Sequence, residues 1–260
     1  MTSPVPDTTF VLVHGGGCGA WCWAPFAPFV PGRALAVDLP PKAARGVPAT
    51  GAARSAELAT VGVDEFASSA IADIDAAGID RFVLVGHSMG GLTVPEIARR
   101  IPDRVEHVVF VSCLIPPDRE SIIDALPEEV RELTRAAVSE AVAGESGAGL
   151  GGLDEATMVR MFCNDLDEAQ TKLVLAHMGA EAPRAFADPV TRVGIPPALP
   201  KTYVKLARDQ ALTPEDQDRQ IESLRASPGG DLRVVELDTG HMVMISAPEA
   251  LASVLAELAP

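Results

Sequence analysis

The sequence predicts an α/β fold: a mostly parallel sheet of about six strands, helices on both of its faces, and a helical insertion. Three observations carry this prediction. Short apolar runs alternate with helix-like segments, a glycine-serine-glycine motif stands between one such strand and helix, and residues 114–200 contain no convincing strand. Strands that alternate with helices pair in parallel and are covered on both faces. A length of 260 residues suits one such domain with an insertion.

Apolar runs of strand length define the predicted sheet. They cover residues 8–13, 33–38, 81–85, 105–111, 202–206 and 232–237. Apolar residues at helical spacing predict the covering helices. These helices cover residues 63–77, 89–100, 214–225 and 248–258. The alternation therefore assigns residues 1–113 and 201–260 to the core of a single domain.

The pattern changes between the two parts of this core. From about residue 114 to residue 200 the chain consists of helical, charged or alanine-rich pieces, with a glycine-rich run at 144–152. An insertion placed there follows a strand and precedes the next one. We expect it to form a helical lid, or cap, over the ends of the strands.

Composition narrows the range of functions. The formal net charge is −15, so nucleic-acid backbones and anionic membrane surfaces would be repelled. No run approaches the roughly 20 apolar residues of a membrane span. The first residues have neither a basic nor an apolar character, so we expect a cytoplasmic protein. The oligomeric state is left open, a homodimer included.

The cysteines do not form a recognisable framework. Cys18 and Cys22 lie close together in the sequence, but no second Cys/His pair completes a metal site with them. Cys113 and Cys163 stand apart. We expect four reduced thiols, and neither a metal nor a cofactor.

The motif Gly86-His87-Ser88-Met89-Gly90 is the most informative stretch of the chain. A strand runs into it and a helix follows, which is the context of a nucleophile elbow. In such a turn the serine backbone is strained and only small neighbours fit beside it. The serine hydroxyl then stands clear at the carboxyl end of the strand. Ser88 is the candidate nucleophile.

A serine nucleophile needs a base, and the chain has five histidines. His241 follows the last predicted strand, so it lies at the same sheet edge as Ser88. His87 adjoins the serine within the turn, and His107 lies inside a strand. His14 follows the first strand, where it shapes a glycine loop. His241 is therefore the candidate base.

Three aspartates are candidates for the acid that orients the base. Asp209 follows the strand that ends at residue 206 and leads the others. Asp238 is the runner-up, only three residues before His241. The strand ending at residue 111 is a third place for an acid, but no carboxylate occurs there until Asp118. The chain order serine, acid, histidine is typical of hydrolases with a nucleophile elbow.

Acyl transfer also needs backbone N–H groups aimed at the developing oxyanion. One candidate is Met89, the residue after the nucleophile. The other is Gly16, in the run His14-Gly15-Gly16-Gly17 after the first strand. That loop must curl toward Ser88, and glycine permits it.

The chain resembles the α/β-hydrolase superfamily over nearly its whole length. Its motifs are most similar to the branch that holds plant methyl-ester esterases, hydroxynitrile lyases and bacterial pyrethroid-type carboxylesterases. The segments that carry the resemblance are 11–15, 21–23, 86–91, 209–215, 240–244 and 248–249. The resemblance implies Ser88 as nucleophile, His241 as base and Asp209 as acid, with oxyanion donors at Gly16 and Met89.

Two departures from the lyases of that branch favour an esterase. Those lyases carry a lysine directly after the catalytic histidine, where this chain has Met242. They also carry a threonine in the first loop, where this chain has Gly16. The lid resembles the branch weakly, so the resemblance does not identify the substrate.

The sequence thus predicts a cofactor-free serine carboxylesterase for small to medium apolar carboxylic esters. The candidate substrate contacts are Trp21, Phe162, His177, Met178 and Met242. Two alternatives stay open. The same triad could serve a lyase or an enzyme acting on a lactone or thioester, or the fold could bind a small ligand without turnover.

Overall fold

A computed structural model describes residues 8–41, 56–126, 128–143, 153–227 and 232–258. The predicted glycine-rich run at 144–152 lies outside the described residues. Within them, no helix is both long enough and apolar enough to cross a membrane.

One six-stranded parallel sheet forms the centre of the molecule, as predicted. Its strands are β1 (Thr9–Val13), β2 (Arg33–Val37), β3 (Phe82–His87), β4 (Val105–Val111), β5 (Lys201–Leu206) and β6 (Leu232–Leu237). Their order across the sheet is β2-β1-β3-β4-β5-β6. The order reverses between β1 and β3, and ligands of open parallel sheets bind outside the strand ends at such a point.

Helices cover the sheet on both sides, and further helices lie in the chain between β4 and β5. They are α1 (Val63–Ala76), α2 (Gly90–Arg100), α3 (Glu128–Val142), α4 (Glu155–Phe162), α5 (Glu168–His177), α6 (Arg184–Ala187), α7 (Pro214–Arg225), α8 (Val243–Ser246) and α9 (Pro248–Ala256). Local chemistry sets the helix starts. For α7, the Thr213 side chain accepts a hydrogen bond from the Asp216 N–H, and Pro214 occupies the first turn, where its missing N–H costs nothing.

The two faces of the sheet bury two separate apolar clusters. Alternate residues of a strand point to opposite faces. Val11 belongs to the cluster beneath α1, α2 and α7, whereas Leu12 belongs to the cluster beneath α8 and α9. All residues of β1 and β3 are buried, as expected for central strands covered on both sides.

The chain between β4 and β5 contains α3 to α6 among its described residues, and an isolated antiparallel bridge joins Glu120 to Val190. The end of this segment returns to the core beside the loop after β1. The Gly179 N–H donates to the Gly17 carbonyl at 2.7 Å. This contact brings residues from the insertion to the carboxyl ends of the strands.

Candidate active site

The chain turns sharply after β3, and Ser88 occupies the turn. Its φ of 53° lies in the left-handed region, where a side chain is strained. Neighbouring strands hold it there: the Ser88 N–H donates to the Val111 carbonyl at 3.1 Å, and the Ser88 carbonyl accepts from the Leu114 N–H at 3.0 Å. The nucleophile elbow expected from the motif is present.

Glycine is required around this turn because the backbones approach closely. A methyl group on Gly15 would lie 2.7 Å from Cβ of Ser88. One on Gly90, the first residue of α2, would lie 3.0 Å from the carbonyl oxygens of Val13 and His14. The absence of side chains lets the first loop, the elbow and the start of α2 pack together.

A buried acid–base pair lies at the same edge of the sheet. Nδ1 of His241 is 2.7 Å from Oδ2 of Asp209, and this nitrogen donates to the carboxylate. The Asp209 residue is fully buried, and His241 is only 2% exposed. Of the three aspartates considered, Asp209 is the one that contacts the histidine. Asp238 instead presents an exposed side chain that pairs with Arg208.

The Asp209 carboxylate accepts hydrogen bonds at both oxygens. Besides His241, the Ser112 hydroxyl donates to Oδ2 at 2.7 Å. The N–H groups of Ala211 and Leu212 donate to Oδ1 at 2.7 and 2.9 Å. Burial alone would raise the pKa of Asp209, but the neighbouring His241 and these hydrogen bonds lower it. The carboxylate is therefore held ionised and fixed in orientation beneath the imidazole.

His87 supports the same imidazole from the other side. Its Nε2 donates to the His241 carbonyl at 2.9 Å, and the two ring centroids are 4.6 Å apart. Burial, together with the nearby His241, lowers the pKa of His87 to about 3. His87 is thus a neutral ring that fixes the backbone of the loop carrying His241.

The remaining histidines are engaged elsewhere. Nε2 of His14 accepts from the Leu39 N–H at 3.0 Å, which ties the first loop to the chain after β2. His107 bonds to the Thr202 hydroxyl, as a structural histidine within a strand would. Nδ1 of His177 bonds to a carbonyl of its own helix. This leaves His241 as the histidine paired with the buried aspartate.

Ser88 and His241 open into one cavity of about 360 Å³. Its described lining is mostly apolar and comprises Gly16, Gly17, Ser88, Met89, Leu114, Leu153, Met158, Met161, Phe162, Met178, Gly179, Glu181, Phe186, Ala211, Leu212 and His241. Gly16 and Met89, the candidate oxyanion donors, are neighbours in this lining: a methyl group on Gly16 would lie 2.5 Å from the Met89 sulfur. Cavities of this size and character bind small apolar molecules.

Two of the five predicted substrate contacts, Phe162 and Met178, line this cavity. Trp21 and His177 do not; their rings lie against each other, with centroids 5.3 Å apart. Met242 does not either, because its side chain is fully buried in the core cluster under α8 and α9. Trp21, His177 and Met242 thus lie outside the described lining of this cavity, and their contact with substrate stays a prediction.

Several residues of the site were missed by sequence reasoning. Met158, Met161 and Phe186, from the chain between β4 and β5, line the cavity but belong to no motif. Glu181 lines it too, with nothing in the sequence to distinguish it from other acidic residues. Ser112 carried a signal, since it directly follows β4, at the edge where the other site residues collect. No group of three or more metal-binding side chains occurs within the described part of the chain.

Comparisons with known proteins agree with this architecture. Residues 10–254 match the model of a family described as the alpha/beta hydrolase family. The chain is 30% identical over 271 residues to Esterase PIR7B of rice (Oryza sativa subsp. japonica), covering 96% of this chain and 95% of that protein. It is 25% identical over 254 residues to a carbendazim hydrolyzing esterase of Nocardioides, covering 96% and 98%.

Solved structures show the same fold. An extracellular alpha/beta-hydrolase from a Paenibacillus species superposes with a TM-score of 0.76 at 21% identity, over 96% of this chain and 98% of that one. Since the family model spans almost the entire chain and the elbow and buried pair are in place, this protein belongs to the alpha/beta hydrolase family.

Proposed function

We propose that the protein is a serine carboxylesterase that cleaves small to medium apolar carboxylic esters. The observation that carries this proposal is the buried Asp209–His241 pair, which opens into the same apolar cavity as Ser88 on its strained turn. Relatives named as esterases support it, the rice and Nocardioides proteins among them. In the proposed site Ser88 is the nucleophile, His241 the base and Asp209 the acid.

The reaction proceeds in two halves. Oγ of Ser88 attacks the ester carbonyl carbon while Nε2 of His241 takes its proton. The tetrahedral intermediate collapses, the imidazolium returns the proton to the leaving alcohol, and an acyl-enzyme is left. Water then gives a proton to His241 and attacks the acyl carbon, and collapse releases the acid and restores Ser88. Asp209 stabilises the imidazolium in each half.

The oxyanion of each intermediate is proposed to accept hydrogen bonds from the N–H groups of Gly16 and Met89. Both residues line the cavity beside Ser88. Met89 also immediately precedes α2, whose N-terminal end favours negative charge. The insertion at about 114–200 is proposed to act as a lid that supplies apolar walls from α4 and α6. A cytoplasmic location and a homodimer stay predictions.

The proposal is tested with Ser88→Ala and a fluorophosphonate probe. The parent protein is expected to hydrolyse p-nitrophenyl butyrate and to be labelled at Ser88, whereas Ser88→Ala does neither. Ser253→Ala, on the exposed face of α9, is the matched control and keeps both properties. Binding of small esters by parent and Ser88→Ala alike, without turnover of any ester in a panel of acyl and alcohol sizes, would favour a ligand-binding protein instead. Turnover of lactones or thioesters but not of simple esters would favour an enzyme that uses the same triad on those substrates.

A further inference from the structure

Two consecutive residues of the insertion, Asn164 and Asp165, reach the two loops that carry the acid–base pair. Nδ2 of Asn164 donates to the carbonyl of Arg208, the residue directly before the acid, at 2.7 Å. Oδ2 of Asp165 accepts from the N–H of Gly240, the residue directly before the base, at 2.6 Å. One dipeptide therefore contacts both loops, each at the residue that precedes a member of the pair.

The two loops leave neighbouring strands of the sheet. They follow β5 and β6, which pair in parallel along their whole length. A backbone bond from the Arg208 N–H to the Thr239 carbonyl, at 2.9 Å, joins the loops just beyond the strand ends. The acid and the base come after this bond in their loops, so their relative position also depends on what holds the loops from outside the sheet. The dipeptide makes such contacts.

The insertion packs tightly around the base at this point. A methyl group on Gly240 would lie 2.5 Å from Oδ1 of Asn164 and 2.5 Å from Oδ1 of Asp165, so glycine is what permits the approach. Two residues before the dipeptide, the Phe162 ring lies edge-on to the ring of His241, with centroids 5.3 Å apart. Residues 162–165 thus contact both the ring of the base and the backbone that precedes it.

The Asp165 carboxylate is incompletely satisfied in this position. Its side chain is only 5% exposed, and Nη2 of Arg208 lies 3.9 Å from Oδ2. Oδ1 is buried and has no hydrogen-bond partner within the described part of the chain. A buried polar group with incomplete hydrogen bonding lowers stability. We therefore attribute the carboxylate to the bond that it makes with the Gly240 N–H.

We propose that Asn164 and Asp165 are positioning residues for the Asp209–His241 pair. Neither belongs to the described lining of the cavity, so they act through the backbone of the two loops. They hold the carboxylate and the imidazole in the geometry that proton transfer requires. A misplacement of about 1 Å can lower a catalytic rate about 10²-fold. This inference rests on the proposed esterase function and names further residues on which its rate depends.

The test compares removal of each contact with a conservative change. Asn164→Ala removes the donor to the loop before the acid, and Asp165→Ala removes the acceptor for the Gly240 N–H. Asp165→Asn keeps an oxygen that can accept from Gly240 and removes the charge. Glu168→Ala is the matched control, because it removes another acidic side chain of the insertion, one that is 84% exposed and lies outside the described cavity lining.

The first measurement is the hydrolysis of p-nitrophenyl butyrate. We expect kcat to fall about 10- to 100-fold in Asp165→Ala and in Asn164→Ala, because the pair is misplaced. KM is expected to stay within about twofold of the parent value, because binding contacts in the cavity are kept. Asp165→Asn and Glu168→Ala are expected to keep kcat within about threefold of the parent value.

The second measurement needs no turnover. In a proton NMR spectrum, the Nδ1 proton of His241 that is bonded to Asp209 gives a resonance far downfield, which is identified by its loss in His241→Gln. We expect this resonance unchanged in Asp165→Asn and Glu168→Ala, and shifted upfield or broadened in the two alanine variants. It reports on the pair whether or not esters are turned over. Its outcome is therefore distinguishable from failure of the esterase proposal, which the Ser88→Ala assay decides.

Parent values of kcat and of this resonance in both alanine variants would overturn the proposal. A raised KM at unchanged kcat would also overturn it, because the dipeptide would then act in substrate binding. A loss in Asp165→Asn as large as in Asp165→Ala would assign the effect to the charge instead of the hydrogen bond. If Asp165→Ala does not fold, Asn164→Ala decides, since the exposed Asn164 can be replaced in a protein that stays folded by circular dichroism.

Discussion

Replacing Asp209 by asparagine tests the acid–base pair most directly, because the hydrogen bonds around this residue determine how the asparagine amide is oriented. The carboxylate accepts from four donors: His241, Ser112, Ala211 and Leu212. The backbone N–H groups of Ala211 and Leu212 cannot change their role. The asparagine oxygen must therefore face them, and its NH₂ group must face the imidazole and the serine hydroxyl.

This orientation forces the imidazole into the wrong tautomer. Nδ1 of His241 must then accept a hydrogen bond from the amide, so the ring proton moves to Nε2, which can no longer take the proton of Ser88. We expect kcat for p-nitrophenyl butyrate to fall about 10⁴-fold, as for loss of a triad acid in general. That fall corresponds to about 5.5 kcal/mol of transition-state stabilisation. Loss of the charge-assisted bonds lowers the free energy of unfolding by about 1–3 kcal/mol, so the variant stays folded.

The control is Asp238→Asn. Asp238 was the other acid considered next to His241, but its side chain is 85% exposed and pairs with Arg208. Its loss is expected to leave kcat unchanged within a factor of about two, since exposed ion pairs contribute little. An Asp209→Asn variant that is folded by circular dichroism yet keeps a tenth or more of the parent activity would refute the reasoning, as would a large loss in Asp238→Asn.

Three further predictions concern residues around the site. The pKa of His87 is about 3 in the folded protein and ordinarily 6.5, so the unfolded chain takes up the proton first as the pH falls. Acidification from pH 6 to 4 therefore lowers the free energy of unfolding through this residue by up to about 1.4 kcal/mol per pH unit. In urea unfolding, the free energy should depend less steeply on pH for His87→Gln, but not for the exposed His177→Gln. Gly15→Ala places a methyl group 2.7 Å from Cβ of Ser88, which should lower the free energy of unfolding by about 1–3 kcal/mol in thermal melts and reduce kcat. Phe162→Ala removes a half-buried ring 5.3 Å from that of His241. The value of kcat/KM for an apolar ester should drop about thirtyfold, because covering a side chain of this size with substrate contributes about 2 kcal/mol; an unchanged value would place the substrate elsewhere.

Much of the fold was predictable from the sequence because its signals are local. The central strands are nearly continuous apolar runs, as expected of parallel strands that are buried on both faces. The elbow motif marks one strand end, and chain order then places Asp209 and His241 at the same edge. Their roles in catalysis stay predictions, but their contact follows from the topology.

The lining of the cavity was much less predictable because it depends on side-chain direction. Met242 adjoins His241 in the sequence, yet its side chain turns into the core. Trp21 follows the first loop, yet its ring packs against His177. Phe186 and Met158 come from helices of the insertion, where no motif fixes how each helix rotates. Tertiary packing determines where these side chains point, and no local sequence pattern predicts that packing.

Both backbone polar groups of Gly17 bond to the end of the insertion: its carbonyl accepts from the Gly179 N–H, and its N–H donates to Glu181. The loop after β1, which adjoins Ser88, is therefore tied directly to the insertion. Substitutions earlier in the insertion can change the cavity lining without altering these two hydrogen bonds. Breaking these two hydrogen bonds would free the first loop, which adjoins Ser88, from its contact with the insertion.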